Sequence, residues 1–338
     1  MKVAAHAAFE PHASLRPLEY DSAPLGPYEV DVAVTHCGIC HTDVGMIDND
    51  WGISRYPVVA GHEAVGIVVA VGAEVDHRRL SIGQRVGVGA ISGACMNCEP
   101  CLAGKHNLCS DRDDTVTRGQ GGAFASHVRV SNWHFAYAIP DAIACEHAGP
   151  LMCAGTTVFA PLLRHNVKPT DRVAVVGIGG LGHLAIQFMA KWGCEVTAIS
   201  STSKSEDLAL ALGAHHFIHA GDPDALARQA DSFDFILSTA SGDLPWDDYV
   251  HALKPQARLC IVGVPTKAIS LEPFGLLTRE KLIAGGIPAS PVETRLMLDF
   301  AARHGIKPIV ETFSIGQIDQ AIDHVRQGKA RFRAVLVA

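Results

Sequence analysis

The segment that most constrains this chain is Arg172–Trp192, which reads RVAVVGIGGLGHLAIQFMAKW. A run of buried-type strand residues, Arg172–Gly177, passes through glycines directly into an apolar stretch of helical length, Leu181–Trp192. Gly177, Gly179 and Gly182 follow the G-x-G-x-x-G spacing, with Gly180 as an extra glycine. Such a loop turns tightly and lets backbone N–H groups approach a pyrophosphate. It also points a helix N-terminus at the negative charge. Alone, the pattern is only a glycine-rich turn. Its place between strand and helix is what a dinucleotide site requires. Alternation continues through Glu195–Ser200, Ser205–Leu212, His216–His219, Phe233–Ser238 and Arg258–Val264, which predicts a doubly wound parallel sheet.

The end of the second strand bears on which nicotinamide cofactor fits. NAD sites place Asp or Glu about 20 residues on, bonded to the ribose 2′-hydroxyl. Here the segment holds Ser200, Ser201, Thr202, Ser203 and Lys204, with no carboxylate before Glu206. Hydroxyls and a lysine suit a 2′-phosphate, so NADP(H) is expected. A merely solvated serine loop is the plainer reading, and it too lacks the acid that would repel a phosphate.

The first 150 or so residues have a different texture. Short strands separated by glycine turns, such as Glu29–His36, Glu63–Val71 and Arg85–Gly89, predict a β-rich domain. Cysteines mark it further. Of ten in the chain, Cys95, Cys98, Cys101 and Cys109 fall within fifteen residues as C-x2-C-x2-C-x7-C. Four thiolates close a tetrahedral zinc with no open position, which is structural chemistry. A second, less local set combines Cys40-His41-Thr42-Asp43 with Gly61-His62-Glu63. A catalytic zinc takes three protein ligands and keeps one position open. Cys40 and His62 supply two, and on composition any remaining cysteine supplies the third.

The N-terminus lacks a long apolar core of the secretory kind, so disulfides are not expected and a cytoplasmic setting is. No apolar run approaches the roughly 20 residues of a membrane span. With a net charge of −7 and no dense Lys/Arg run, a nucleic-acid partner is not expected. From about Pro288 the tail reads as one amphipathic helix, Ile315–Gln327, and a last strand, Phe332–Val337.

Taken in order, these motifs, with Leu151-Met152-Cys153-Ala154-Gly155-Thr156-Thr157 between them, resemble the zinc-dependent medium-chain alcohol dehydrogenases. The wording is similar to the cinnamyl-alcohol-dehydrogenase branch. Met46–Gly52, Tyr56–Gly61 and His324–Arg331 resemble the bacterial broad-specificity NADPH-dependent aldehyde reductases within it. The resemblance implies an α/β protein with a GroES-like catalytic domain (1–152), a Rossmann domain (153–287) and a C-terminal return to the first (288–338). It makes Cys153 the third catalytic zinc ligand, where the two domains join, and Glu63 a zinc-proximal acid able to enter the coordination sphere. His41 would contact the cofactor pyrophosphate and Thr157 would lie near the nicotinamide. Ser200, Ser201, Thr202 and Lys204 would surround the 2′-phosphate. Gly177, Gly179, Gly180, Leu181, Gly182, Val262 and Gly263 complete the expected cofactor contacts.

The activity implied is reversible hydride transfer between NADPH and aldehydes, giving primary alcohols, with two zincs per chain and a homodimer paired through Rossmann strands. Thr42 is placed to pass a proton to the nascent alkoxide; its plainer role is a helix N-cap. Plant members of the branch carry a histidine three residues after that threonine, and here the position is Gly45. The relay would then run through the cofactor ribose hydroxyls, near His41. Polyol and formaldehyde dehydrogenases share the chemistry. A zinc-free quinone reductase would not need Cys40, His62 and Cys153. A non-enzymatic zinc protein would need only the four-cysteine cluster.

Overall fold

A computed structural model describes every residue except Arg118 and Pro223. The chain divides into two compact units, Met1–Thr156 with Ala289–Ala338, and Thr157–Pro288. The first break falls four residues beyond 152/153, so Cys153 lies within the first unit.

The first unit is built on a largely antiparallel sheet. Its order is Val310–Ser314, Arg333–Val337, Val30–Ile39, Glu63–Val71, Arg85–Val88 and Ala136–Ala138, with His127–Val130 also paired to Val30–Ile39. The last strand of the chain thus returns to the first unit, antiparallel to Val30–Ile39 and parallel to Val310–Ser314. Register brings three strand ends together. Ala334 lies opposite Ile39, and Gly38 opposite Glu63. Cys40, His62 and Arg333 are the residues just past those pairs. Alternating burial along Lys2–Ala7 fits a strand with one covered face, whereas Val30–Ile39 is covered over most of its length.

The tail holds more structure than the sequence reading gave it. Pro291–His304 is a fourteen-residue helix. Its start signal was present: Ser290 accepts from the Glu293 N–H, Glu293 bonds back to the Ser290 N–H, and proline occupies the first turn. The later helix is Ile318–Arg326, preceded by a single tighter turn, Ile315–Gln317.

The second unit is a six-stranded, wholly parallel sheet. Its order is His216–His219, Glu195–Ser200, Arg172–Val176, Phe233–Ser238, Leu253–Ile261 and Leu282–Gly285. This is the doubly wound arrangement with the order reversal beside the first strand, where ligands bind at the carboxyl ends. Helices fill the connections, and one core cluster joins Val176, Ile199, Phe233 and Ile236 to Trp246 and Tyr249. Two expectations shift here. The strand expected at Arg258–Val264 spans Leu253–Ile261, so Val262 and Gly263 lie in the turn that follows. Leu282–Gly285, too short and too exposed to read from sequence, forms the edge of the sheet. No helix among the described residues is long and apolar enough to cross a membrane.

Candidate functional site

Cys40 ends the strand Val30–Ile39 and caps the helix His41–Asp48. Thr42 therefore sits inside the first turn rather than at the cap, correcting that reading of it. Asp43 closes the cap and does more. Its Oδ2 accepts from the Cys40 N–H at 2.9 Å, and its Oδ1 accepts from the Gly61 N–H and from His62 Nδ1, each at 2.8 Å. With Nδ1 as the donor, His62 presents Nε2 to the Cys153 sulfur 3.2 Å away. Cys153 rides on a π-helical turn, Leu151–Gly155. Thr156 Oγ1 donates to the carbonyl of Cys153 at 2.8 Å and steadies that wide turn.

Cys40, His62, Glu63 and Cys153 bring their ligand atoms within 4.8 Å of one another. His62 and Glu63 are fully buried, and Cys153 nearly so. Two sulfurs, an imidazole nitrogen and a carboxylate suit a zinc ion. One further observation supports a cation there. Glu63 pairs through Oε1 with buried Arg333, but its Oε2 is buried with no hydrogen-bond partner. A carboxylate oxygen in that condition carries a large desolvation cost unless a positive group answers it. The oxygen has room only because residue 38 is glycine, since a Cβ there would lie 2.0 Å from Oε2.

The protons in this cluster are distributed unevenly. A hydrogen bond from Cys153 holds the Cys40 thiol well below the usual range, aided by Arg333 and His62. Cys153 is pushed well above it by Cys40 and by burial. Burial alone would lower the His62 pKa, but Asp43 and Cys40 together outweigh that and raise it to about 10. A metal bound at Nε2 would take the place of that proton.

The second cysteine set is just as compact. Cys95, Cys98, Cys101 and Cys109 place all four sulfurs within 4.8 Å of one another. Backbone N–H groups turn toward them: Cys98 N lies 3.3 Å from Cys95 Sγ, and Cys95 N lies 3.5 Å from Cys109 Sγ. Donation from the Asn97 and Cys98 backbones lowers the Cys95 thiol to about 7. The sulfur of Cys101, by contrast, is raised to about 12 by burial. Four thiolates that backbone donors help stabilise fit a closed zinc site.

The glycine loop of the second unit is held open by specific contacts. Gly177 has φ +88°, a region open to glycine, and a Cβ on Gly182 would lie 1.8 Å from the Gly177 carbonyl. Thr239 Oγ1 lies 2.9 Å from the Gly177 carbonyl and 3.0 Å from that of Val176. His183, fully buried, donates from Nδ1 to the Gly179 carbonyl at 2.9 Å. Gly179, Gly180 and Leu181 precede the helix Gly182–Trp192. Val262 and Gly263 both donate backbone N–H groups to the Ser238 carbonyl. Ser200 is buried at the end of its strand, with Ser201, Thr202 and Lys204 exposed beyond it. Thr157 is buried near the start of the helix Thr156–Arg164, and His41 is exposed.

Two residues the sequence reading did not single out belong to the metal cluster. Asp43 lies within the quoted motif, and its signal was the cap spacing of an acid three residues after Cys40. Arg333 had only one trace, a charge opening the apolar strand Arg333–Val337.

Known proteins share this fold. The alcohol dehydrogenase GroES-like domain matches residues 26–141, and the zinc-binding dehydrogenase domain matches residues 180–303. An aldehyde reductase of Synechocystis sp. is 46% identical over 99% of this chain and 98% of its own length. A cinnamyl alcohol dehydrogenase of Sorghum bicolor superposes with TM-score 0.93 at 33% identity, covering 100% of this chain and 98% of that one. A second such enzyme, from Helicobacter pylori and complexed with NADP(H), gives 0.89 at 27%, with coverage of 100% and 98%. With both domain models matched and a relative this similar along nearly its whole length, the chain belongs to the zinc-binding alcohol dehydrogenase family.

Proposed function

We propose that this chain is a two-zinc, NADPH-dependent aldehyde reductase that also runs in reverse as a primary-alcohol dehydrogenase. The observation that carries the reading is the cluster of Cys40, His62 and Cys153, with Glu63 as an exchangeable fourth ligand already paired with Arg333. When bound, zinc supplies a Lewis acid for the carbonyl oxygen and NADPH supplies the hydride for the carbonyl carbon. The protein's own groups do the rest. Asp43 fixes the tautomer of His62, so Nε2 is available as a ligand. The Thr42 hydroxyl lies 3.8 Å from Cys40 Sγ, in reach of an oxygen held beside that sulfur. It would pass that oxygen a proton as the alcohol forms, taking one in turn from solvent water through the relay, with the flow reversed in the other direction.

Cys95, Cys98, Cys101 and Cys109 would hold the second zinc and stabilise their loop. The glycine loop Gly177–Gly182, with Leu181 at the helix start, would take the pyrophosphate with His41. Thr157, Val262 and Gly263 would flank the nicotinamide half, and Ser200, Ser201, Thr202 and Lys204 the 2′-phosphate. A second copy would pair along the edge strand Leu282–Gly285, where Leu282 is 51% exposed. Ten cysteines without a disulfide suit a reducing, cytoplasmic setting.

The test is metal analysis together with an aldehyde panel run in parallel with NADPH and NADH. Two zincs per chain, activity lost on chelation and higher kcat/KM with NADPH are expected. One zinc per chain, or a preference for NADH, would overturn the reading.

A further inference from the structure

Beside the Ser200–Lys204 segment stands a residue that neither the motif nor the site description uses. His219 is the last residue of the strand His216–His219, and in the parallel register it lies directly beside Ser200. Parallel neighbours in register share a face of the sheet. Both strands end at the carboxyl edge, where open α/β sheets take their ligands. The imidazole is exposed but tethered. Its Nε2 donates to the carbonyl of Ser201 at 3.1 Å, across eighteen residues of sequence.

The surrounding contacts define what this bond does. The Ala220 N–H donates to the Ser200 carbonyl at 2.8 Å, and the Thr202 N–H to Ser200 Oγ at 3.3 Å. With the His219 bond, consecutive carbonyls at 200 and 201 are both engaged. The backbone carrying the Ser201 and Thr202 hydroxyls is thereby held in one arrangement. The nearest carboxylate along the chain from His219, Asp222, is occupied by Arg228 at 2.6 Å and by the Asp224 N–H.

The ring has its place because residue 221 is glycine. A Cβ on Gly221 would lie 2.7 Å from Cε1 of His219 and 3.2 Å from Nε2. The backbone at Gly221 is not in the left-handed region, so an alanine there strains nothing locally. The obstacle is the end of a movable side chain, and the ring swings away at small cost to the fold.

We propose that His219 is a positioning residue for adenosine 2′-phosphate: it fixes the Ser201 backbone, so that the hydroxyls of the 200–204 segment meet the phosphate without first being ordered. Ordering a loop on binding costs affinity, and a segment already held does not pay it. The inference rests on the NADPH reading above, since NADH presents nothing to this segment but a ribose hydroxyl.

The experiment measures kcat and KM for NADPH and NADH with one aldehyde, in wild type, His219→Ala, His219→Gln and Gly221→Ala, alongside thermal denaturation. One hydrogen bond changes an equilibrium by roughly three- to tenfold. His219→Ala and Gly221→Ala should each lower the NADPH-to-NADH ratio of kcat/KM by about that factor. The loss should appear in KM for NADPH rather than in kcat. His219→Gln, which keeps an N–H donor, should recover most of it. An unchanged ratio in His219→Ala overturns the proposal. So does an equal loss with both cofactors that tracks a lower melting temperature, because that marks a role in folding alone. A wild type that prefers NADH overturns the NADPH reading itself, and shows this before any variant is compared.

Discussion

Asp43 offers the sharpest test of how the metal cluster is assembled. Its carboxylate is fully buried and accepts three hydrogen bonds, from the Cys40 N–H, the Gly61 N–H and His62 Nδ1. Asp43→Asn keeps the shape but supplies one acceptor oxygen and one amide donor. The better orientation keeps the oxygen toward Gly61 and His62 and turns the amide against the Cys40 N–H. One bond to a charged acceptor is then lost, and a buried donor faces another donor. An unsatisfied buried group costs about 1–3 kcal/mol, and bonds to a charged partner are worth about 1.5–3 kcal/mol. Together these give about 2.5–6 kcal/mol of lost stability in this unit. The effect on the metal is separable. Mutating the partner of a ligating histidine typically costs about 10–100-fold in metal affinity, and here the acceptor of the His62 Nδ1 proton loses its charge. Zinc loss from Asp43→Asn should therefore occur at a correspondingly lower chelator concentration. It should stop at one zinc per chain, because the four-sulfur lobe does not depend on Asp43. A variant that kept both zincs with wild-type affinity would refute the argument that Asp43 prepares His62.

The remaining predictions concern the loop and the helix. Burial pushes His183 down to about 4 from an ordinary 6.5, so the folded state binds fewer protons than the unfolded chain between those values. Its contribution is complete above about pH 6.5 and is lost as pH falls toward 4, about 3 kcal/mol in all. Denaturant unfolding between pH 7 and 4.5 should show that slope, and His183→Asn should flatten it; equal slopes would contradict the assignment. At Gly45, an added Cβ would lie 2.8 Å from Trp51 Cη2, so Gly45→His must displace the indole rather than fill a vacant place. Emission should change relative to a Trp51→Phe background while turnover near neutral pH stays within a few-fold of wild type. A large gain in turnover would show that the native proton route is limiting.

Local patterns made the second unit and the four-sulfur lobe legible. The sheet strands Glu195–Ser200 and Phe233–Ser238 match their expected spans, because covered parallel strands read as continuous apolar runs; His216–His219, a largely exposed edge strand, also matches, placed by the strand–helix alternation. Cys95, Cys98, Cys101 and Cys109 lie so close in sequence that few folds could keep them apart. What escaped was either weakly marked or distant. Leu282–Gly285 is a four-residue, partly exposed edge with no periodicity to detect. Pro291–His304 carried a clear cap, but its apolar stripe is thin, with Met297, Leu298 and Ala301 forming most of the buried face. Arg333 reaches Glu63 across 270 residues, and no spacing rule connects them.

The two donor sets are prepared by different means, and this bears on how each responds to its metal. In the sulfur lobe the described regular elements are all short. The helix Glu99–Leu102 is four residues, and the pairing of Ile91–Gly93 with Asp113–Asp114 is equally brief. The backbone donors of Cys95 and Cys98 offset the repulsion of four thiolates only in part, so the binding energy of a metal there would become folding energy. In the other cluster Cys40, His62 and Glu63 stand instead at the ends of long paired strands and Cys153 on a π-helical turn, braced by Asp43, Arg333 and Thr156. Those braces hold the donors in place through the fold rather than through the ion. Glu63 in particular is anchored by one oxygen while the other stays uncommitted. In the proposed two-zinc enzyme, a carboxylate so divided would serve as the exchangeable ligand, leaving an open position for a substrate oxygen.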